Sequence, residues 1–330
     1  MQIISPMATG NGAYIVHKTL ETKLSNYCTI PYNPYWTLTP FLLPLFSKKK
    51  ASIIHSTADY ACFFSQRKVP LVVTLHNYVL DPFMQQYSSV LQNIHYQTDL
   101  KWFTKMSLQR AEKITSVSCY TAELTKKDLD FNGDIEVISN GIDTQYFYPK
   151  DNRSQVKGVS VLFSGNLTQR KGAHWLPQIV EKLNHNAELL YTQGLNKTKL
   201  NIEGGRMRDI GKIPYHEMPL LYNSVDILLM PTVREGMSLA VLEAMACGLP
   251  VVVTNCSSMP ELIDEGKGGF LCPVGDVNIF ADRLNLLIEN AALRHQMGEY
   301  NRAKVEKYFT LQAMVKSYQT LFEKILDEDA

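Results

Sequence analysis

Short unbroken apolar runs recur along this chain, each followed by a loop and then by apolar residues at helical spacing. Residues 1–5, 52–55, 70–76, 114–117, 158–163, 187–193, 209–213, 225–230 and 250–254 read as strands. Unbroken runs, rather than alternation of apolar and polar positions, mark strands covered on both faces, as in parallel sheets. Helical spacing marks residues 13–24, parts of 98–128 and 311–326. Strands alternating with helices predict an α/β chain of doubly wound sheets.

The clearest unit is MPTVREGMSLAVLEAMACGLPVVVT, 230–254. The strand 225–230 ends at Pro231, and a polar loop carries Glu235 and Gly236, where backbone without Cβ can approach a ligand. Ser238 is placed to cap a helix running to Cys247, Gly248 to end it, and Pro250 to open the next strand. The loop lies at the carboxyl end of a parallel strand, where open α/β sheets bind ligands. The helix start at 236–239 offers N–H groups to an anion. Glu235 and Glu243 flank that start with acceptors for sugar hydroxyls. Phosphates in the middle and a sugar at each end describe a sugar nucleotide.

Glu235 and Glu243 form an E-x7-E pattern whose surrounding text resembles the retaining glycosyltransferase family 4, of the GT-B fold. Further motifs follow in order: Gly10–Asn11–Gly12 after the first strand, VVTLHN ending in His76 and Asn77, ISNGIDTQYFYP ending at Pro149, SGNLTQRKG over 164–172, and GKIPYHEMPLLYNSVD over 211–226. The resemblance covers nearly the whole chain and is densest from 158 to 276. It implies two Rossmann-like domains facing across a cleft: an acceptor-side domain, 1–149, with the helix 311–330 returning to it, and a nucleotide-sugar domain, 150–310. The run 150–158 is the expected linker. The implied reaction moves a hexosyl group from a nucleotide donor, a UDP-sugar before a GDP-sugar, with retention at the anomeric carbon, in glycan, polysaccharide or glycolipid synthesis. Glu235 would orient the donor sugar, Glu243 hold the ribose and His76 line the reaction centre. Arg170 and Lys171 would carry the diphosphate, and Gly12, Gly165, Asn166, Ile213, Gly236, Met237, Ser238 and Leu239 would line the donor site. Members of the family carry an arginine where this chain has Asn166; Arg170, beside Lys171, is expected to restore that charge. A non-catalytic nucleotide-sugar-binding protein and a nucleotide-sugar epimerase are the competing readings on the same fold.

Net charge is +1 over 330 residues, so bulk electrostatics recruit neither nucleic acid nor an anionic bilayer. The six cysteines form no C-x-x-C, which fits reduced thiols in a cytoplasmic protein better than disulfides or zinc. The amino terminus lacks the basic and apolar regions of a signal peptide, and no apolar run is long enough to span a membrane. With no acidic clamp in a matching context, neither metal nor cofactor is expected. Residues 31–50, PYNPYWTLTPFLLPLFSKKK, combine prolines, aromatics and three lysines. They are read as a buried loop and short helix with a solvated charge run. A peripheral contact of 35–50 with the inner face of a membrane or a lipid-linked acceptor is the alternative to that reading. Ser258 with Glu261 carries a capping-box signature, and Asp276 is placed to cap the helix after it.

Overall fold

A computed structural model describes residues 2–47, 49–150, 158–193 and 205–328. Most of the expected linker, 151–157, and Lys48 of the lysine run lie outside the described residues. The chain forms two units, Met1–Asn140 with Gln312–Ala330, and Gly141–Leu311. The segment expected to belong to the first domain up to 149 packs with the second unit. Ile142 pairs with Thr310, and Arg302 donates to the carbonyls of Thr144 and Phe147 at 2.9 and 2.7 Å.

The first unit holds β1 (Ile3–Ala8), β2 (Tyr27–Tyr32), β3 (Ile53–Thr57), β4 (Leu71–Leu75), β5 (Lys113–Ser116) and β6 (Glu136–Val137). The strands are all parallel, in the order β2-β1-β3-β4-β5-β6. Between β1 and β2 runs the helix Gly12–Lys23, capped by Asn11, whose side chain accepts from Tyr14 N. The last helix, Leu311–Glu328, carries a stripe of buried residues, Met314, Tyr318, Leu321, Phe322 and Ile325. Its helical spacing directs them to one face. Tyr318 and Phe322 stack beside His55 at ring distances of 5.3 and 5.4 Å.

The segment 34–47 differs from its expected burial. It forms two 3₁₀ turns, Pro34–Leu38 and Pro40–Ser47, because prolines interrupt α-helical hydrogen bonding. Only Leu43 and Ser47 are buried, while Tyr35, Leu38 and Phe41 are each more than 75 % exposed.

The second unit holds β7 (Val159–Phe163), β8 (Ala187–Tyr191), β9 (Met207–Asp209), β10 (Ile227–Met230), β11 (Val251–Thr254) and β12 (Gly269–Cys272), all parallel, in the order β12-β11-β10-β7-β8-β9. Every side chain of β10 and β11 is inaccessible to solvent. The order reverses between β7 and β10, so the loops after these strands diverge there and open a crevice at the carboxyl edge of the sheet. The fold of both units is α/β and Rossmann-like. None of the six cysteines is in a disulfide. Among the described residues no helix is long and apolar enough to cross a membrane.

Candidate functional site

Two loops meet at the switch point of the second sheet: 164–172 after β7, and 231–238 after β10. They are stitched together through backbone. Val233 N donates to the Arg170 carbonyl at 2.9 Å. Gly172 has φ of +74°, and a Cβ there would lie 2.0 Å from the Pro231 carbonyl oxygen. Glycine therefore permits both the left-handed turn and the close approach. The stem of Lys171 runs beside Gly165, whose own N–H donates to Thr192 Oγ1 at 3.0 Å.

This stitching presents three charges to one another. Lys171 Nζ lies 2.5 Å from Glu235 Oε1, and Arg170 Nη1 lies 3.6 Å from the same oxygen. Thr232 Oγ1 also donates to it at 2.9 Å. Arg170 is further fixed by donating to the Arg234 carbonyl at 2.8 Å. Burial alone would raise the Glu235 carboxyl. Lys171 and Arg170 outweigh that effect and hold it below the ordinary value, so it remains a carboxylate. Its backbone is anchored as well: Glu235 N donates to Ser257 Oγ at 3.1 Å, and Ser258 Oγ donates to the Glu235 carbonyl at 3.2 Å. The cluster carries one positive charge net and opens onto the crevice through Arg170, whose side chain is 30 % exposed.

From Glu235 the chain passes through the buried residues Gly236, Met237 and Ser238 into the helix Leu239–Ala246. Ser238 occupies the cap position, but its hydroxyl makes no capping bond. Gly248, with φ of +73°, follows the helix as expected. Glu243, within this helix, lives in a different environment from Glu235. Its Oε2 accepts from Tyr222 OH at 2.9 Å, and burial pushes its carboxyl up to about 8. Aromatic rings from other segments surround it. Phe147 lies 6.2 Å from Tyr222 and 5.8 Å from Tyr215, ring to ring, and the Glu243 charge contributes to raising the Tyr215 phenol. Ile213 sits half-buried in the loop that carries Tyr215.

Within the first unit, His76 follows β4 and Gly12 opens the helix Gly12–Lys23, both at the carboxyl edge of the sheet. Gly12 is exposed and His76 half-buried. His76 Nε2 faces His17 Nε2 at 2.9 Å. Burial takes its pKa down to about 3, so the ring is neutral near pH 7.

The second unit thus brings Arg170, Lys171 and Glu235 into contact, with Gly165 and Asn166 on the same loop and Glu243 on the adjoining helix. His76 and Gly12 belong to the other unit. Sequence reading missed Thr232, Tyr222 and Ser257. The first two are separated from their carboxylate partners by 3 and 21 residues, and neither forms a local motif. It also misassigned Ser258. The predicted capping box does not form: Ser258 has ψ of 0° instead of the extended backbone of a capping residue, and its hydroxyl donates to the Glu235 carbonyl. Asp276 does cap its helix, accepting from Ile279 N at 3.1 Å. Among the described residues no group of three or more His, Cys, Asp or Glu could hold a metal ion.

Comparisons place this chain among known proteins. Residues 158–290 match the model of the family described as glycosyl transferases group 1, and residues 3–146 match that of glycosyltransferase family 4. The N-acetyl-alpha-D-glucosaminyl L-malate synthase of Bacillus anthracis is 26 % identical, over 94 % of this chain and 84 % of that protein. The capsular polysaccharide biosynthesis glycosyltransferase CapM of Staphylococcus aureus is 25 % identical, over 87 % of this chain and 80 % of that protein. Among solved structures, the sucrose-phosphate synthase of Thermosynechococcus elongatus superposes with a TM-score of 0.84 at 16 % identity, covering 99 % of this chain and 100 % of that one. HepE of Anabaena, in complex with UDP and glucose, superposes with a TM-score of 0.79 at 17 % identity, covering 98 % and 100 %.

Proposed function

Because the chain belongs to the family 4 glycosyltransferases and has their GT-B fold, we propose that it moves a hexosyl group from a nucleoside diphosphate sugar to a carbohydrate or lipid-linked acceptor. The donor is a UDP-sugar before a GDP-sugar, the anomeric configuration is retained, and no metal takes part. UDP in the HepE complex supports the donor base, and the name of CapM supports a place in polysaccharide synthesis.

The observation that carries this reading is the Arg170–Lys171–Glu235 cluster at the switch point of the second sheet. Departure of a nucleoside diphosphate develops negative charge, which fixed donors and cations stabilise. When a donor enters, its diphosphate competes with Glu235 for the two cations. Glu235, released from part of that pairing, accepts from the hydroxyls of the transferred sugar. Glu243 takes the ribose, and His76 meets the sugar as a neutral hydrogen-bonding group. Arg170 supplies the cation that the chain lacks at Asn166. Residues 35–50 form a peripheral contact with a lipid-linked acceptor or with the inner face of the membrane. Equal co-sedimentation of wild type and a Trp36 and Lys48–Lys50 variant with anionic liposomes would remove that part of the reading.

A thermal-shift panel of UDP-, GDP- and ADP-sugars identifies the donor, because a ligand that binds only the folded state raises the melting temperature. Transfer is then assayed in EDTA with the donor so found. Activity is expected to persist there, and Arg170→Ala is expected to lower kcat by a factor on the order of 10²–10³ with a smaller change in donor KM. Full activity of Arg170→Ala would discard the compensation for Asn166. Loss in EDTA restored by manganese would show the diphosphate to be metal-held. Donor binding without any transfer or hydrolysis would favour a binding protein.

A further inference from the structure

Behind His76 lies a run of buried polar side chains that sugar transfer, as set out above, does not use. His76 Nε2 is 2.9 Å from His17 Nε2, and His17 Nδ1 is 2.7 Å from the hydroxyls of both Tyr27 and Ser5. The Tyr27 hydroxyl is 2.8 Å from His55 Nδ1. His55 Nε2 is 2.7 Å from Thr74 Oγ1, which meets Thr115 Oγ1 at 2.7 Å. His17 and His55 are fully buried and Tyr27 is 3 % exposed. None of the three can reach a substrate.

A neutral imidazole has one N–H and one lone pair. Two lone pairs, or two N–H groups, repel at hydrogen-bond distance, so the two facing Nε2 atoms must differ in protonation. Burial, and for His17 and His55 the neighbouring imidazoles, keeps these rings neutral, while burial keeps the phenol proton on Tyr27. That single proton goes to one of the two Nδ1 atoms, and the phenol oxygen accepts from the other.

We propose that His17, Tyr27 and His55 form a chain of alternating hydrogen bonds that fixes the tautomer of His76, with Tyr27 and His17 as positioning residues. In either direction of the chain, His76 and His55 carry hydrogen on the same ring position and His17 on the opposite one. The nitrogen of His76 turned away from His17 is Nδ1. Fixed as N–H it donates to a ligand oxygen; fixed bare it accepts from a ligand hydroxyl. The interior of the first unit therefore selects which of these His76 does. The consequence for turnover rests on the reading of His76 as a donor-sugar contact, whereas the alternation itself does not.

Long-range ¹H–¹⁵N spectra of the full chain labelled at histidine report each tautomer directly. The expected result is one tautomer per ring, with His17 opposite to His55 and His76. In Tyr27→Phe, His76 is expected to show averaged tautomers, and kcat to fall about tenfold, the effect of one hydrogen bond, with donor KM little changed. Ser5→Ala, which leaves Tyr27 as the partner of His17 Nδ1, is expected to keep the alternation. A His17 tautomer matching that of His55 in wild type overturns the proposal, whether or not Tyr27→Phe folds. So does a Tyr27→Phe protein with unchanged His76 signals. Alternation that Tyr27→Phe abolishes, together with full activity of His76→Ala, supports the chain and instead removes His76 from the sugar site.

Discussion

The two glutamates of one short motif end up as different chemical groups. Glu235 is drawn by two cations and stays ionised, whereas Glu243 is buried against a phenol and is pushed up to about 8. A carboxyl whose folded pKa is raised holds its proton longer in the folded state than in the unfolded one. Its contribution to stability is therefore full below the unfolded value of about 4.3 and is lost as pH rises through 8. Glu243→Gln removes that dependence. The melting temperature of the variant is expected to gain on wild type steadily from pH 5 to 8 by calorimetry, and parallel curves would show that Glu243 titrates normally. Ribose hydroxyls donating to Glu243 would favour its charged form. Binding of UDP at pH 7 is then expected to release a proton, seen as a dependence of the calorimetric enthalpy on the ionisation heat of the buffer. No such dependence would move Glu243 away from the ribose. The motif was legible as a pair because strand, loop and helix frame it locally. The difference between its members was not, since Lys171 and Tyr222 reach them from 64 and 21 residues away.

At the scale of elements, apolar runs revealed the interior strands and missed the borders. The strands β1, β3, β4, β5, β7, β8, β10 and β11 coincide with the expected runs to within a few residues. The strands at the sheet edges, β2, β6, β9 and β12, do not appear as runs, or, for β9, are displaced to 209–213. For β6 and β9 the cause is incomplete cover at the edge, which lets polar residues in: β6 is wholly exposed and β9 carries Arg208 and Asp209. The candidate site escaped this weakness because β7 and β10 are central. What holds its two loops at one spacing is Gly172. Ala there would meet the Pro231 carbonyl and a disfavoured φ together. Gly172→Ala is expected to cost roughly 2 kcal/mol or more of stability by denaturant titration and to weaken UDP binding. Gly266→Ala, at a positive φ with open space around it, serves as the control for backbone strain alone. Equal losses in the two variants would mean that the close approach to Pro231 contributes nothing.

At the scale of the molecule, the two units differ in how the chain completes them. The second is a single continuous segment, Gly141–Leu311, and it carries every candidate donor residue except Gly12 and His76. The first is interrupted: Met1–Asn140 supplies the whole sheet, but Gln312–Ala330 supplies a helix against it. That helix buries Met314, Tyr318, Leu321, Phe322 and Ile325. At about 1.5–3 kcal/mol for each fully buried apolar side chain, the five together are worth on the order of 10 kcal/mol. That equals the whole net stability of an ordinary domain, about 5–15 kcal/mol. Tyr318 and Phe322 also cover His55 and Tyr27, so without the helix a row of neutral imidazole and phenol groups would face water beside an apolar strip. Residues 1–140 alone are therefore expected to lack a cooperative thermal transition, and to gain one when a peptide of residues 312–330 is added. The segment 141–311 alone is expected to melt cooperatively and to bind UDP within about tenfold of the full chain, by calorimetry. Cooperative melting of 1–140 without the peptide would show that the returning helix is not required. Failure of a folded 141–311 to bind UDP would mean that Gly12, His76 or their neighbours hold the nucleotide, and that the cluster of Arg170, Lys171 and Glu235 is not sufficient to do so.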